Sequence, residues 1–303
     1  MPEASPHRDP APAGRLPTVS GAAVALGRQL RAAGIETPER DARLLAATAA
    51  GLDPAQLISH GEQVLSPEAF EHVSDFARRR LAREPVSRIL GTRAFYGRDF
   101  SITPATLDPR ADSETLIEAA LGLVREQMAD RASLRILDVG TGTGCLLATL
   151  LCELPSAHGT GTDISEAALS VARCNAEALG VGRRATFACT SGLAALAGPF
   201  DLLVSNPPYI PSSDVAGLAQ EVRGFDPLAA LDGGPDGLDM YRLMAGDLKR
   251  VVPRGWAVFE VGSGQSDRVA AILADALNGD AQDCRTWRDL EGHTRCVAAS
   301  TNG

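Results

Sequence analysis

Ile136-Leu137-Asp138-Val139-Gly140-Thr141-Gly142-Thr143-Gly144-Cys145 is an apolar run broken by three alternating glycines and followed at once by Leu146-Leu147-Ala148. It reads as a strand that enters a glycine-rich turn and leaves as a helix. Glycines there let a ligand approach the backbone and leave amide hydrogens free at the helix start. A dinucleotide turn, GxGxxG, has its third glycine five residues after the first. Here the third glycine comes four residues after Gly140 and Cys145 follows it, which weakens a pyrophosphate reading. Asp163 ends the next predicted strand, 25 residues beyond Asp138. A carboxylate at that strand end can accept both ribose hydroxyls of an adenosine ligand, or serve only as a charge at the helix start ahead of Ser165.

Outward from this turn the chain alternates. Strands are predicted at 134–140, 158–163, 184–190, 200–206 and 255–262, with helices at 145–154, 165–179 and 241–251. Near-continuous apolar strands separated by helices imply a parallel sheet covered on both faces. The last pair, 282–288 and 294–300, has no helix between its members and predicts an antiparallel hairpin at one sheet edge. The expected fold is therefore α/β and Rossmann-like, mostly parallel with an antiparallel edge hairpin, and it is preceded by a small all-helical domain. The glycine spacing and the edge hairpin both resemble class I S-adenosylmethionine methyltransferases.

Four regions are expected: a disordered tail at 1–17, a helical domain at 18–87, a β-hairpin linker at 88–107 and a catalytic domain at 108–303. The tail carries five prolines and lacks the basic start and apolar block of a signal peptide. Between Val19 and Arg83, Thr37-Pro38, Asp53-Pro54 and Ser66-Pro67 read as N-cap followed by N1, and Gly34, Gly51 and Gly61 as stops. Ala94 to Phe100 looks like a hairpin turning at Gly97-Arg98.

Residues 1–100 hold 13 basic and 12 acidic side chains, whereas 101–303 hold 16 and 26. A body so acidic is poorly suited to nucleic acid, whose phosphates are met by clustered Lys and Arg. The one basic run, Arg78-Arg79-Arg80 with Arg83, reads as a solvated helix face or as a contact for an acidic partner. The most membrane-like stretch, residues 139–152, is too short to span a bilayer. Six cysteines with no CxxC and no metal-ligand spacing predict no metal site and fit a reduced, cytoplasmic setting.

The stretch Leu202-Leu203-Val204-Ser205-Asn206-Pro207-Pro208-Tyr209 selects the chemistry. Pro208 has no N–H, so the Pro207 carbonyl lacks a local partner and is available to a ligand. The Asn206 side-chain oxygen and that carbonyl can each accept one N–H of a planar amino group, holding its nitrogen in line for attack, with Tyr209 packed on the plane. No strong base is needed beforehand, because the nitrogen acidifies as it is alkylated. The acceptor is then adenine, guanine or a glutamine side chain.

Across residues 19–300 the chain resembles the release-factor glutamine methyltransferase family. The resemblance rests on Asn-Pro-Pro-Tyr together with its flanking blocks: Gly91 to Gly97, Pro109-Arg110-Ala111-Asp112-Ser113-Glu114, Asp226-Pro227, Ala230-Leu231, Gly233 to Leu238 and Tyr241-Arg242. It implies that Gly140, Thr141, Gly142, Thr143, Gly144, Asp163, Gly192 and Asn206 bind S-adenosylmethionine. It also implies that Asn206, Pro207, Pro208 and Tyr209 form the acceptor pocket, with Asn206, Pro207 and Tyr209 carrying catalysis. The implied substrate is the glutamine of the Gly-Gly-Gln loop of class-1 peptide chain release factors, gripped by the helical domain. Ser191 and Gly192 align where the family commonly has an acidic and then an aromatic residue near adenine, and Ala111 stands where proline is usual. Arg110 either lines the site or pairs with Asp112. Glu260 reads as structural and His293 as a surface residue. Two other readings remain: a DNA adenine or RNA guanine amino methyltransferase, which predicts a basic groove, and a binder of release factor or RNA without turnover.

Overall fold

The computed structural model describes residues 16–277 and 284–301. The chain divides after Leu90 into two units, Met1–Leu90 and Gly91–Gly303. Most of the expected tail lies outside the described residues.

The first unit contains α1 (Val19–Ala32), α2 (Pro38–Ala49), the short α3 (Leu57–His60), α4 (Pro67–Leu81) and α5 (Val86–Leu90). In α1 the buried Val19, Ala22, Ala23, Leu26 and Leu30 recur at helical spacing and form one apolar stripe. Ser66 caps α4 by accepting from Ala69 N–H, and Asp53 with Gln56 forms a reciprocal capping box. Thr37 makes no such bond; its hydroxyl donates instead to Asp41. Gly34 and Gly51 sit at positive φ just past their helices, as stops require. Gly61 is different: its φ is −59°, and a side chain there would lie 2.1 Å from the Ser20 hydroxyl.

Of the basic run, only Arg78 is the solvated face expected; the others are drawn inward. Arg80 is 7% exposed and pairs with buried Asp41 at 2.8 Å. Arg79 forks onto Glu84 and reaches the Ile89 and Arg88 carbonyls, while Arg83 donates to the Ala33 and Gly34 carbonyls at the end of α1. Arg78, paired with Asp75, has the most exposed side chain of the three consecutive arginines. The planar five-donor head of arginine suits it to collecting carbonyls and a carboxylate at once. The run is an internal brace.

The second unit opens with an antiparallel hairpin, β1 (Thr92–Phe95) and β2 (Arg98–Ser101). Its turn is Tyr96-Gly97 and not Gly97-Arg98. Both turn residues have positive φ, 49° and 71°, the geometry that matches strand twist in a two-residue loop. Tyr96 tolerates it because its N–H donates to Glu114 at 2.8 Å and its hydroxyl to Glu118.

There follow α6 (Glu114–Gln127), β3 (Arg135–Val139), α7 (Cys145–Glu153), β4 (His158–Asp163), α8 (Glu166–Ala178), β5 (Ala185–Cys189) and β6 (Leu202–Ser205). After the short α9 (Gln220–Arg223) come α10 (Asp239–Ala245), α11 (Leu248–Val251), β7 (Trp256–Glu260), α12 (Ser266–Ala276), β8 (Arg285–Arg288) and β9 (Thr294–Ser300). The helix expected at 241–251 is thus two, interrupted at Gly246-Asp247.

Seven strands form one sheet in the order β5-β4-β3-β6-β7-β9-β8. β5, β4, β3, β6 and β7 run parallel; β9 and β8 are antiparallel. Strands β6 and β7 are buried along their whole length because both faces are covered. Leu202 and Val204 point into one apolar core with Ile136, while Leu203 points into the other with Leu137 and Val139. The strand order reverses at β3, which has β4 on one side and β6 on the other, so a crevice opens beyond the carboxyl ends of β3, β4 and β6.

Candidate active site

In that crevice lies a cavity of about 410 Å³, within the usual range of small-molecule sites, roughly 300–1,000 Å³. Its wall includes Gly140, Thr141, Gly142, Thr143, Asp163, Gly192, Asn206 and Pro208. Gly144, Pro207 and Tyr209 are not part of the wall.

The glycine turn is built from backbone. Gly140 N–H and Thr141 N–H both donate to the Thr162 carbonyl at 2.8 Å, pinning the end of β3 to β4. Gly142 N–H donates to Asp163 Oδ2 at 3.0 Å, and Ser165 N–H to Asp163 Oδ1 at 2.9 Å. Asp163 therefore joins the turn to the start of α8, and each carboxylate oxygen keeps a lone pair for a further donor. The helix-start role and the ribose role are compatible. A side chain at Gly140 or Gly142 would point into open space, whereas one at Gly144 would lie 3.0 Å from Ala172 Cβ. The first two glycines leave room for a ligand; the third lets α7 pack on α8. An adenosine ligand fits this cradle.

Asp138 is fully buried beneath the turn and accepts from the Thr141 hydroxyl at 2.6 Å. Burial pushes its pKa up to about 7, and its Oδ1 has no hydrogen-bond partner. Next to Gly192, Ser191 and Thr190 line the same wall, with neither an acid nor an aromatic among them. Ile164, 61% exposed and directly after Asp163, supplies an apolar face that the sequence reading missed.

At the other end, the carboxyl end of β6 delivers Asn206. Its Nδ2 donates to the Ser113 hydroxyl oxygen at 3.1 Å. Tyr209 turns its hydroxyl toward Glu260 Oε1, 3.4 Å away, and its carbonyl accepts from Gln265. Burial raises the Tyr209 pKa well above the usual phenol range. Glu260 is 2% exposed; burial raises its pKa to about 7, against the pull of the Ser113 hydroxyl and the Arg295 charge. Arg110 lines the cavity but pairs with Asp226 at 2.5 Å, while Asp112 pairs with Arg295. Of the two expectations for Arg110, the place in the site holds and the pairing with Asp112 does not; its partner is Asp226, 116 residues away. The His293 side chain is 55% exposed in the β8–β9 turn. Ser113 was visible only as part of a loop motif, since nothing in sequence links it to Asn206, 93 positions later.

A parallel sheet that reverses order at a glycine turn, an acid at the end of the next strand and Asn-Pro-Pro-Tyr at the end of the fourth define an S-adenosylmethionine-dependent methyltransferase of the α/β class. Residues 112–222 match the methyltransferase small domain, and residues 25–91 match the PrmC N-terminal domain. The release factor glutamine methyltransferase of Rhodospirillum rubrum is 47% identical over 272 residues, covering 89% of this chain and 81% of that protein. That of Bradyrhizobium diazoefficiens is 46% identical, covering 93% and 94%, and that of Cereibacter sphaeroides 45%, covering 89% and 94%. The chain belongs to the release factor glutamine methyltransferase family. Its fold is also that of the hMettl16 catalytic domain, solved in complex with an RNA hairpin, with a TM-score of 0.54 at 15% identity over 78% of this chain and 83% of that one. Among the described residues no helix is long and apolar enough to cross a membrane.

Proposed function

We propose that this enzyme methylates the side-chain amide nitrogen of the glutamine in the Gly-Gly-Gln loop of class-1 peptide chain release factors. S-adenosylmethionine, when bound, supplies an electrophilic methyl group on a positively charged sulfur. Gly140 and Gly142 leave space for it, Asp163 takes the ribose hydroxyls, and Ile164 offers an apolar face to adenine. Asn206 holds the acceptor amide. Its Oδ1 takes one N–H and holds the acceptor nitrogen in the cavity that the glycine turn shares. Pro208 and Tyr209 hold that segment rigid. Helices α1 to α5 grip the release factor away from the reacting loop, and a substrate of translation termination implies a cytoplasmic setting.

The observation that carries this reading is that Asn206 shares one cavity wall with the glycine turn while its amide NH₂ is already engaged by Ser113. A nucleic-acid acceptor is not favoured: Arg79, Arg80 and Arg83 are committed inside the first unit. Mass spectrometry of a release factor incubated with the enzyme and S-adenosylmethionine tests the proposal. A gain of one CH₂ on the loop glutamine is the expected result. An unmodified release factor beside a methylated nucleic acid would overturn it.

A further inference from the structure

S-adenosylmethionine carries its sulfur and its base at opposite ends of the ribose, so a site that fixes the methyl group and the ribose also fixes the direction of the base. In the sheet order β5-β4-β3-β6, Asn206 follows β6, the glycine turn follows β3 and Asp163 ends β4. A ligand whose methyl group faces Asn206 and whose ribose meets Asp163 extends its base toward the end of β5. That end is close at hand. Cys189 is in register with Asp163 across the parallel ladder, and Thr190 N–H donates to the Asp163 carbonyl at 3.0 Å. Thr190, Ser191 and Gly192, which follow β5, line the cavity together with Ile164 and Met240.

What this stretch reads of a base follows from its atoms. The 6-amino group of adenine offers two N–H donors, and a site selects it by burying an acceptor against it. An analogue without those donors then leaves the acceptor unpaired, and such sites reject it by roughly 10⁴-fold or more. Here the means are missing. Among the described residues of the cavity wall the one carboxylate is Asp163, which already accepts from Gly142 and Ser165 N–H. Ser191 is exposed and Thr190 half-buried. Their hydroxyls can turn to accept, to donate or to meet water, so neither is stranded when a donor is absent. Gly192, at φ +58°, brings no side chain, and a Cβ there would lie 3.0 Å from Leu243 Cδ2 of α10. The faces left to a purine are the apolar ones of Ile164 and Met240.

We infer that this enzyme holds the purine of its methyl donor by shape and apolar contact and leaves the 6-position unread, so that it takes adenosyl ligands altered there as readily as the natural ones. The inference rests on the reading of Asp163 as the ribose contact. Ser191 is the specificity-determining position: an exposed hydroxyl there admits a purine with or without an amino group, and a carboxylate there would not.

The test is calorimetric titration of the full chain with S-adenosylhomocysteine and with its 6-deamino analogue, which lacks the two donors and keeps every other ring atom. Wild-type Kd values for the two ligands should agree within fivefold. Ser191→Asp should bind S-adenosylhomocysteine at least as well as wild type and the analogue tenfold or more weakly than it, because the new carboxylate only accepts. Ser191→Asn, which both donates and accepts, should keep the two within fivefold. A wild-type preference of fivefold or more for the amino ligand overturns the inference, and so does a folded Ser191→Asp that treats the two alike. The wild-type comparison decides alone if that variant does not fold. Asp163→Ala should weaken both ligands equally; unchanged binding of both would instead overturn the ribose reading beneath, so the two failures are distinct.

Discussion

At one end of the cavity, residues 140–143 present backbone: amide hydrogens tied to Thr162 and Asp163, and glycines whose missing side chains are the space a ligand enters. At the other end, side chains from separate elements meet: Asn206 donates to Ser113, and Tyr209 to the buried Glu260. The first end is local in sequence, and its geometry follows from which residues lack a Cβ. The second is assembled across 147 positions of chain from Ser113 to Glu260, and its geometry follows from who holds each proton. Damage should differ accordingly. Injury to the glycine turn should strike binding; injury to the side-chain end should strike turnover.

The largest expected effect lies at the side-chain end. Asn206→Ala should retain the thermal shift with S-adenosylmethionine while kcat falls at least ~100-fold, the scale of losing one positioned polar contact in a transition state. Turnover within threefold of wild type would erase the contrast between the two ends.

Next comes Gly142→Val. A ligand at 100 times its Kd stabilises a protein by about 2.7 kcal/mol, and this variant should lose that shift, because φ at Gly142 is +54° and a branched side chain there is both strained and in the ligand's space. NAD should give no shift with the wild-type protein. An unchanged shift in Gly142→Val would move the cofactor elsewhere.

Gly144→Ala sharpens the comparison inside the glycine turn. With φ at +76° and Ala172 Cβ 3.0 Å from the new methyl, the cost falls on the fold, about 1–3 kcal/mol for overpacking. Melting of the ligand-free protein should drop by several degrees while a cofactor shift survives. If melting is unaffected and binding is lost, Gly144 belongs to the site after all.

The smallest effect concerns pH. Glu260 is raised from 4.5 to about 7 by burial, within a setting that also includes Ser113, Tyr209, Asp112 and Arg295. Between those values the folded protein holds a proton the unfolded chain has released, so this group's contribution to stability declines as pH rises from 4.5 to 7 and is lost above it. Glu260→Gln should therefore melt a few degrees above wild type at pH 8 and level with it near pH 4.5. Asp138, raised to about 7 from 3.8, has the same sign. A Glu260→Gln variant that melts lower at pH 8 would show that the ionised carboxylate stabilises the native state.

Much of the fold was legible beforehand. Strands at 158–163 and 294–300 matched residue for residue. The hairpin turn was misplaced by one residue because the rule that glycine takes positive φ does not anticipate a tyrosine held there by Glu114. The basic run misled for a related reason: charge in a sequence says nothing of where its partner lies, and Asp41 is 39 residues from Arg80.

The sequence by itself determined the strand-turn-helix at 136–145, the parallel sheet with its antiparallel edge and the presence of Asn-Pro-Pro-Tyr at a strand end. These depend on periodicity, glycine and proline, whose effects act over a few residues. Only the tertiary structure decided that Gly144 packs on Ala172, that Arg110 answers Asp226 and that Ser113 meets Asn206. Those pairings depend on which side chains meet once the sheet is assembled. A buried polar group takes its partner from whatever the fold brings within reach, however far apart the two lie along the chain.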